Sequence, residues 1–458
     1  MLLPMLTLLA LKLDTATSRF ATEACLACTT WSGPELARAE ALRSRNVDVA
    51  VLGLAAALPW STTATSILGT AILFLIWPMI GRERLLTAVS QPAGALPVAL
   101  VMLAVIGTAW ATGVPWSERL GALDKMIKLL LLPLLLLHFQ YSRRATCIFV
   151  AFIGSNVILL GYSFLAYAVP SLAIVEKVGY AGVPVRNYID QSQGFGFVAI
   201  ALAGLAFEAA SRKNRYSAAA LGATASLFFA NLAFVNVART AFFYIPIMLV
   251  LLMVRYVNRR QLVAGLIVAA IICGGVWQIS PNLHRKVSTI FAELAVQPDA
   301  PIGVNEPSAA MRLEFWRKSL RFFEMAPLIG HGTGSIRGLF QQDAIGQAGV
   351  SAVVVRNPHN QTLAAAVQWG SIGIIILWAM WIAHLRLFRI SGPAAWIGML
   401  ATAQNIASSV FNSHLMDTYE GWLYVLAVGV AGGEVLRIQT SNPVLRNTAD
   451  RSQATQAQ

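Results

Sequence analysis

Residues Arg356 to Leu385 read RNPHNQTLAAAVQWGSIGIIILWAMWIAHL, a polar lead with one histidine and then an apolar run long enough to cross a bilayer as a helix. Pro358 suits the first turn of such a helix, because its missing N–H would have no intrahelical partner there. The sequence therefore places His359 on the N-terminal end of the span. That end is electropositive. A neutral imidazole there can take a proton from a hydroxyl, while the free N–H groups around it favour an anion. A lone histidine at such a junction is ordinarily an interfacial hydrogen-bonding residue, and it is the neighbouring residues that make His359 a candidate general base.

Of the 458 residues 57% are hydrophobic and only 12% charged, and the mean hydropathy is +0.64. This is the composition of an all-α polytopic membrane protein. Apolar runs separated by charged or Gly/Pro/Ser-containing breaks give about twelve spans, near 47–60, 62–80, 93–113, 122–139, 145–168, 193–210, 217–236, 241–255, 261–279, 360–384, 393–411 and 419–436. Residues 1–46 read as a cytoplasmic tail, 47–279 as spans one to nine, 280–357 as a periplasmic loop domain, 358–437 as the last three spans and 438–458 as a second cytoplasmic tail.

The formal net charge of +13 could suggest nucleic acid, but in a membrane protein the position of the charges says more. Arg82, Arg84, Arg143, Arg144, Arg212, Lys213, Arg259, Arg260, Arg386 and Arg389 fall in alternate loops. Those loops and both termini are expected to be cytoplasmic, which puts Ser280 to Asn357 toward the periplasm or cell exterior. Cys25 and Cys28 form an isolated C-x-x-C, and Cys147 and Cys273 read as small hydrophobes in apolar runs.

Charges near the membrane are sparse, so each is informative. Glu208 and Arg212 read as an i,i+4 ion pair. Asp124, Lys125 and Lys128 read as snorkelling residues, and His138 and His384 as interfacial ones. Arg239 differs, because it sits in the short connection Asn236–Thr240 at the start of the next helix. A cation is disfavoured there unless something negative joins it. Lipid phosphate is the simplest such partner.

Within the long loop, SAAMRLEFWRKSLRFFEM from Ser308 to Met325 reads as a helix with Ser308 as N-cap. Glu314, Arg317, Lys318, Arg321 and Glu324 share a polar arc. Arg312 falls among the apolar residues with Trp316 and Phe323 and needs a partner, for which phosphate would serve. The following Gly330–Ser335, GHGTGS, reads as a turn out of the helix. It has neither the lysine pattern nor the strand of a phosphate-binding loop.

The chain has no D-x-D, H-E-x-x-H, Walker A or G-x-S-x-G sequence. That argues against metal-dependent nucleotide-sugar transfer, zinc hydrolysis, ATP-driven transport and serine-triad hydrolysis, and no metal or cofactor is expected. One histidine and two arginines remain on one side of the membrane. They suit a reaction whose energy is already stored in a lipid-linked phosphate donor.

The run from Met311 through Arg312, Trp316 and Pro327 to GHGTGS, followed by NPHNQTL and Gly370–Gly373, resembles the bacterial O-antigen ligase and polymerase superfamily. Arg239 in its short turn fits the same pattern, and FNSHLMDTYEGWLYVLAVGV from Phe411 looks more like ligases than polymerases. The resemblance implies an integral-membrane glycosyltransferase of GT-C-like type, independent of metal and ATP. It would join a glycan from undecaprenyl diphosphate to a lipid A-core acceptor. It implies His359 as the essential loop histidine and Arg239 and Arg312 as diphosphate-binding residues. Residues 1–46 lie outside the pattern. His414 and Asp417 are second candidates for acceptor contacts, with interfacial solvation as their simpler role. The competing readings are an O-antigen polymerase using the same donor class and, in a different class, a multi-pass transporter. A transporter would carry polar groups near the bilayer midplane rather than at one surface.

Overall fold

The computed structural model describes residues 38–79, 81–174, 181–258, 274–294 and 309–441, with isolated positions between 263 and 271. All regular structure among the described residues is helical. The helices are α1 (Arg38–Ala57), α2 (Thr62–Ile76), α3 (Arg82–Ser90), α4 (Pro92–Ile106), α5 (Trp116–Ile127), α6 (Leu131–Tyr141), α7 (Ala145–Ala168) and α8 (Tyr188–Ser211). They continue with α9 (Arg215–Phe234), α10 (Ala241–Tyr256), α11 (Pro281–Leu294), α12 (Ala309–Met325), α13 (Ile336–Asp343), α14 (Gln361–Leu387), α15 (Pro393–Ser408) and α16 (Thr418–Ser441). Ser308, Cys25, Cys28, Cys273 and most of both tails lie outside the described residues.

Five helices, α7, α8, α9, α14 and α16, are long and apolar enough to cross a membrane. A sixth is obtained if α3 and α4, bent by 95° at their junction, count as one span. This is fewer than the twelve read from hydropathy, because several apolar runs are broken or short. The run from 122 to 139 is split by a 3-10 turn at Lys128–Leu130 into α5 and α6. The run from 93 ends at Ile106, and α2 and α10 have only 15 and 16 residues. Residues 261–279 are mostly undescribed. The helix read from Val47 begins instead at Arg38.

The core is built around α16, the most enclosed of the candidate spans. Its Gly429 and Gly433, four residues apart, let α6 approach closely: a Cβ added at either would lie within 2.7 Å of Leu135 or Phe139. Small residues on one helix stripe are how apolar helices pack when lipid competes for every apolar surface. Trp381, Trp396, Phe195 and Phe228 fill the rest of this core.

Several polar side chains read as interfacial are interior. His384 is fully buried, with Nδ1 bonded to Tyr424 and Nε2 2.8 Å from the Ala93 carbonyl. His138 is buried against Asp48 at 2.8 Å, in a cluster that Ser142 and Arg144 complete. Lys128 does not snorkel. It is 6% exposed and donates to the carbonyls of Met416 and Asp417 at 3.2 and 2.6 Å. A buried ammonium must have its donors satisfied, and the loop ahead of α16 supplies the acceptors. Cys147 is buried near the start of α7. The Glu208–Arg212 pair forms as read, at 2.6 Å.

Candidate active site

At one end of the bundle two loops meet, residues 357–360 ahead of α14 and residues 409–417 between α15 and α16. Gln361 N donates to Ser409 O at 2.9 Å, Asn360 Nδ2 to Val410 O at 3.0 Å and Leu415 N to Gln361 Oε1 at 3.2 Å. Helix α14 starts at Gln361 with Asn360 as its N-cap, whose side chain accepts from Leu363 N. Pro358 therefore lies ahead of the helix rather than in its first turn. His359 is in the left-handed region at φ +55°, stabilised by Asn357 Oδ1 accepting its N–H at 2.8 Å.

The imidazole is held from several sides. Phe315 stacks on it at 6.2 Å between ring centroids, and Trp316 Nε1 donates to its carbonyl at 3.3 Å. Nδ1 lies 3.0 Å from Asn412 Oδ1, which also accepts from Asn357 Nδ2 at 2.9 Å. Asn412 Nδ2 donates to Asp417 Oδ2 at 2.8 Å. Since the carboxylate can only accept, the amide must turn its oxygen toward His359. Nδ1 then carries the proton, and Nε2 keeps a free lone pair. Burial, and next the Arg312 charge, lower the His359 pKa to about 4 despite the Asn412 bond. The side chain is a neutral base at physiological pH.

Arg312 is half-buried on α12, and its charge also acts on His414. His414 is fully buried rather than solvated at an interface, with Nδ1 3.3 Å from Gln193 Nε2. Burial foremost, then Arg312 and His359, push its pKa down to about 3. Arg239 sits half-buried in the turn before α10. Ser192 Oγ anchors this turn by accepting Ala238 N at 2.8 Å, and Phe243 packs edge-on against Phe411 at 5.0 Å. Trp316 reaches the same Phe411 at 5.9 Å. The aromatic series Trp316–Phe411–Phe243 thus links the elements that bear Arg312, His414 and Arg239.

Lys318, read on a solvated arc with Arg317 and Arg321, is 2% exposed and pairs with Asp343 at 2.7 Å, while Leu313 and Leu320 face outward. The α12 helix buries Phe315, Ser319 and Phe322 together with Lys318, so its inward face is rotated from the hydropathic one. The other polar-arc charges do pair at the surface: Arg317 with Glu314, and Arg321 with Asp343.

The GHGTGS segment does more than turn the chain. Helix α14 is interrupted at Gly370 (φ +61°, ψ −153°), which frees carbonyls in its first half. His331 N and Gly332 N donate to Val367 O and Gln368 O, both at 2.9 Å. Thr333 N donates to Gly107 O, and Gly334 N to Gln368 Oε1. These N–H groups are spent on protein acceptors, so the glycine loop is a brace and not a phosphate cradle.

Two features escaped the sequence reading. Asn412, two residues before His414, hydrogen-bonds the His359 ring. Arg186 and Asp190, paired at 2.7 Å at the start of α8, help line a polar cavity of about 580 Å³ that Asn412 and Asp417 also border. The i,i+4 spacing of Arg186 and Asp190 beside an apolar run was the available signal. Among the described residues no group of three or more His, Cys, Asp or Glu could hold a metal ion.

The fold and site define a multi-pass helical membrane protein with a largely buried, neutral histidine near Arg312 at one end of the bundle. Residues 223–378 match the family model described as O-antigen ligase. The match takes in Arg239, Arg312 and His359; Asn412, His414 and Asp417 lie beyond it. No curated protein matches the chain.

Proposed function

We propose that the protein is an O-antigen ligase of the bacterial inner membrane, working at the periplasmic face with both termini in the cytoplasm. It transfers a glycan from undecaprenyl diphosphate to a lipid A-core acceptor without metal or ATP. The observation that carries this reading is the His359–Asn412–Asp417 chain, which leaves a neutral imidazole nitrogen unprotonated beside Arg312. His359 Nε2 takes the proton of an acceptor hydroxyl as its oxygen attacks the anomeric carbon of the donor. The new C–O bond forms as the bond from that carbon to the diphosphate breaks. The electron pair leaves with the diphosphate, whose growing charge Arg312 and Arg239 neutralise. The proton on His359 then passes to solvent, which restores the base.

The half-buried Asp417 is the better placed of the two acceptor-contact candidates, since His414 is enclosed behind Gln193. A polymerase would use the same donor chemistry with a second lipid-linked glycan as acceptor. The test is purified protein with lipid-linked glycan and lipid A-core in the presence of EDTA, comparing wild type with His359→Ala. Transfer by wild type alone is expected. A wild type that EDTA silences, or a variant of near wild-type rate, overturns the mechanism. Transfer to lipid-linked glycan but not to lipid A-core makes the protein a polymerase.

A further inference from the structure

We propose that the cavity of about 580 Å³ beside Asn412 is the subsite for the acceptor saccharide, holding an uncharged sugar by its hydroxyls. The inference rests on the glycosyl-transfer reading above and adds where the acceptor sits and what chemistry recognises it.

The lining shows the chemistry. Asp190, Asp417, Glu420 and Asn412 border the cavity, with Trp60 and Thr62 on its other side. Carboxyl and amide groups are the partners that sugar hydroxyls take, because each hydroxyl both donates and accepts. The lining includes one cation, Arg186, and it is committed. It pairs with Asp190 at 2.7 Å and lies over the Tyr419 ring at 5.2 Å. Three carboxyl groups against one engaged guanidinium disfavour phosphate, so the donor's diphosphate belongs with Arg312 and Arg239, which are not in this lining.

Position and rigidity agree with that assignment. Asn412 borders the cavity and accepts the His359 Nδ1 proton, so one side chain joins the cavity lining to the imidazole. Asp417 Oδ2 is taken by Asn412, whereas Oδ1 has no hydrogen-bond partner among the described residues. Trp60 is held by Ser155 at 2.8 Å and stacks against Tyr162 at 6.2 Å, which makes it a fixed aromatic wall. A second cavity of about 330 Å³ also borders Asp417 and carries Lys125, Arg337 and Arg356, the two arginines both paired with Glu118 of the same lining at 2.8 Å. The two spaces share Asp417, and the second is the more basic of the two.

Two wedges separate them. Thr62 is exposed at the start of α2, and Gly121 has open space where a Cβ would stand, so a large side chain fits at either. The probe is dephosphorylated oligosaccharide freed from the lipid A-core acceptor, titrated by calorimetry into the purified full chain. Thr62→Trp is expected to weaken binding at least tenfold, while Gly121→Trp stays within twofold. Thr62→Phe is the smaller wedge should Thr62→Trp fail to fold. In the transfer assay Thr62→Trp is expected to raise KM for the acceptor and leave KM for the donor unchanged. No binding by wild type, binding indifferent to the Thr62 wedges, loss with Gly121→Trp alone, or a rise confined to the donor KM each overturns the assignment. A wild type that binds the sugar in this Thr62-dependent way yet transfers no glycan refutes the transfer reading and leaves the saccharide site standing.

Discussion

His359 Nδ1 and Asn412 Oδ1 are 3.0 Å apart, and the direction of that bond is set from the far side of the amide, where Nδ2 donates to Asp417. On the proposed mechanism Asn412 acts through the imidazole as a positioning residue. Asn412→Ala is expected to lower kcat about 10- to 100-fold, in line with the loss of an outer hydrogen bond that orients a functional histidine. Asn412→Asp places a carboxylate at Nδ1 and favours the imidazolium, so the acid limb of its rate profile is expected to move to higher pH. A profile unchanged in Asn412→Asp would show that the amide serves only to tie the two loops.

The rate should fall in acid later than an ordinary histidine would dictate. Only neutral His359 can accept a proton, and burial with Arg312 holds its pKa at about 4. With other groups unchanged, kcat is expected to hold through pH 6.5 and decline toward pH 4. The stability sign is separate. Between about 6.5 and about 4 the unfolded histidine takes a proton that the folded one refuses. This group's contribution therefore lowers stability as pH falls through that window. Rate profiles with parallel melting curves separate the two.

The cations of α12 should divide by depth. Arg312→Ala is expected to abolish transfer while preserving the fold. Lys318→Ala breaks an enclosed pair with Asp343 and is expected to cost about 3 kcal/mol of stability. Arg317→Ala and Arg321→Ala remove more exposed pairs, worth at most about 1 kcal/mol each. Equal loss of activity at all four positions, with the fold intact, would mean that the whole face binds anion.

Gly370→Ala is expected to be among the most damaging small substitutions. Its φ of +61° suits glycine, and a Cβ there would stand 2.4 Å from the Leu328 carbonyl oxygen. Loss of folded protein in detergent, read by size exclusion, is the expected outcome. Gly121→Ala, in open space, is the control.

Orientation is checked by alkaline phosphatase fusions after Ala348 and after Arg389. Activity is expected only at the first. The reverse pattern would move the site to the cytoplasm and end the proposed reaction.

His359, Arg239 and Arg312 stood out in the sequence because their side chains have few bland explanations at the end of an apolar run, and in the structure the charge of Arg312 acts on His359. Asn412 did not stand out, since an amide gains its role only from what stands on both sides of it. Lys128 and Lys318 were misread for a related reason. A helical wheel shows which residues share a face but not where a distant carbonyl or Asp343 will wait. Hydropathy reads about twelve spans where five or six described helices are long and apolar enough to cross, because it registers composition, whereas a break such as the turn at Lys128–Leu130 depends on packing.

The break at Gly370 also sets a height. Measured along the helix at about 1.5 Å per residue, the part from Ser371 to Leu387 rises about 25 Å, close to the hydrocarbon thickness of a bilayer. The part from Gln361 to Trp369 adds about 13 Å beyond it. With the longer part in the hydrocarbon, the shorter one stands as a pedestal that holds His359 at the level where a lipid's phosphates meet water. A prenyl chain could then remain dissolved in the membrane while its sugar is exchanged above it.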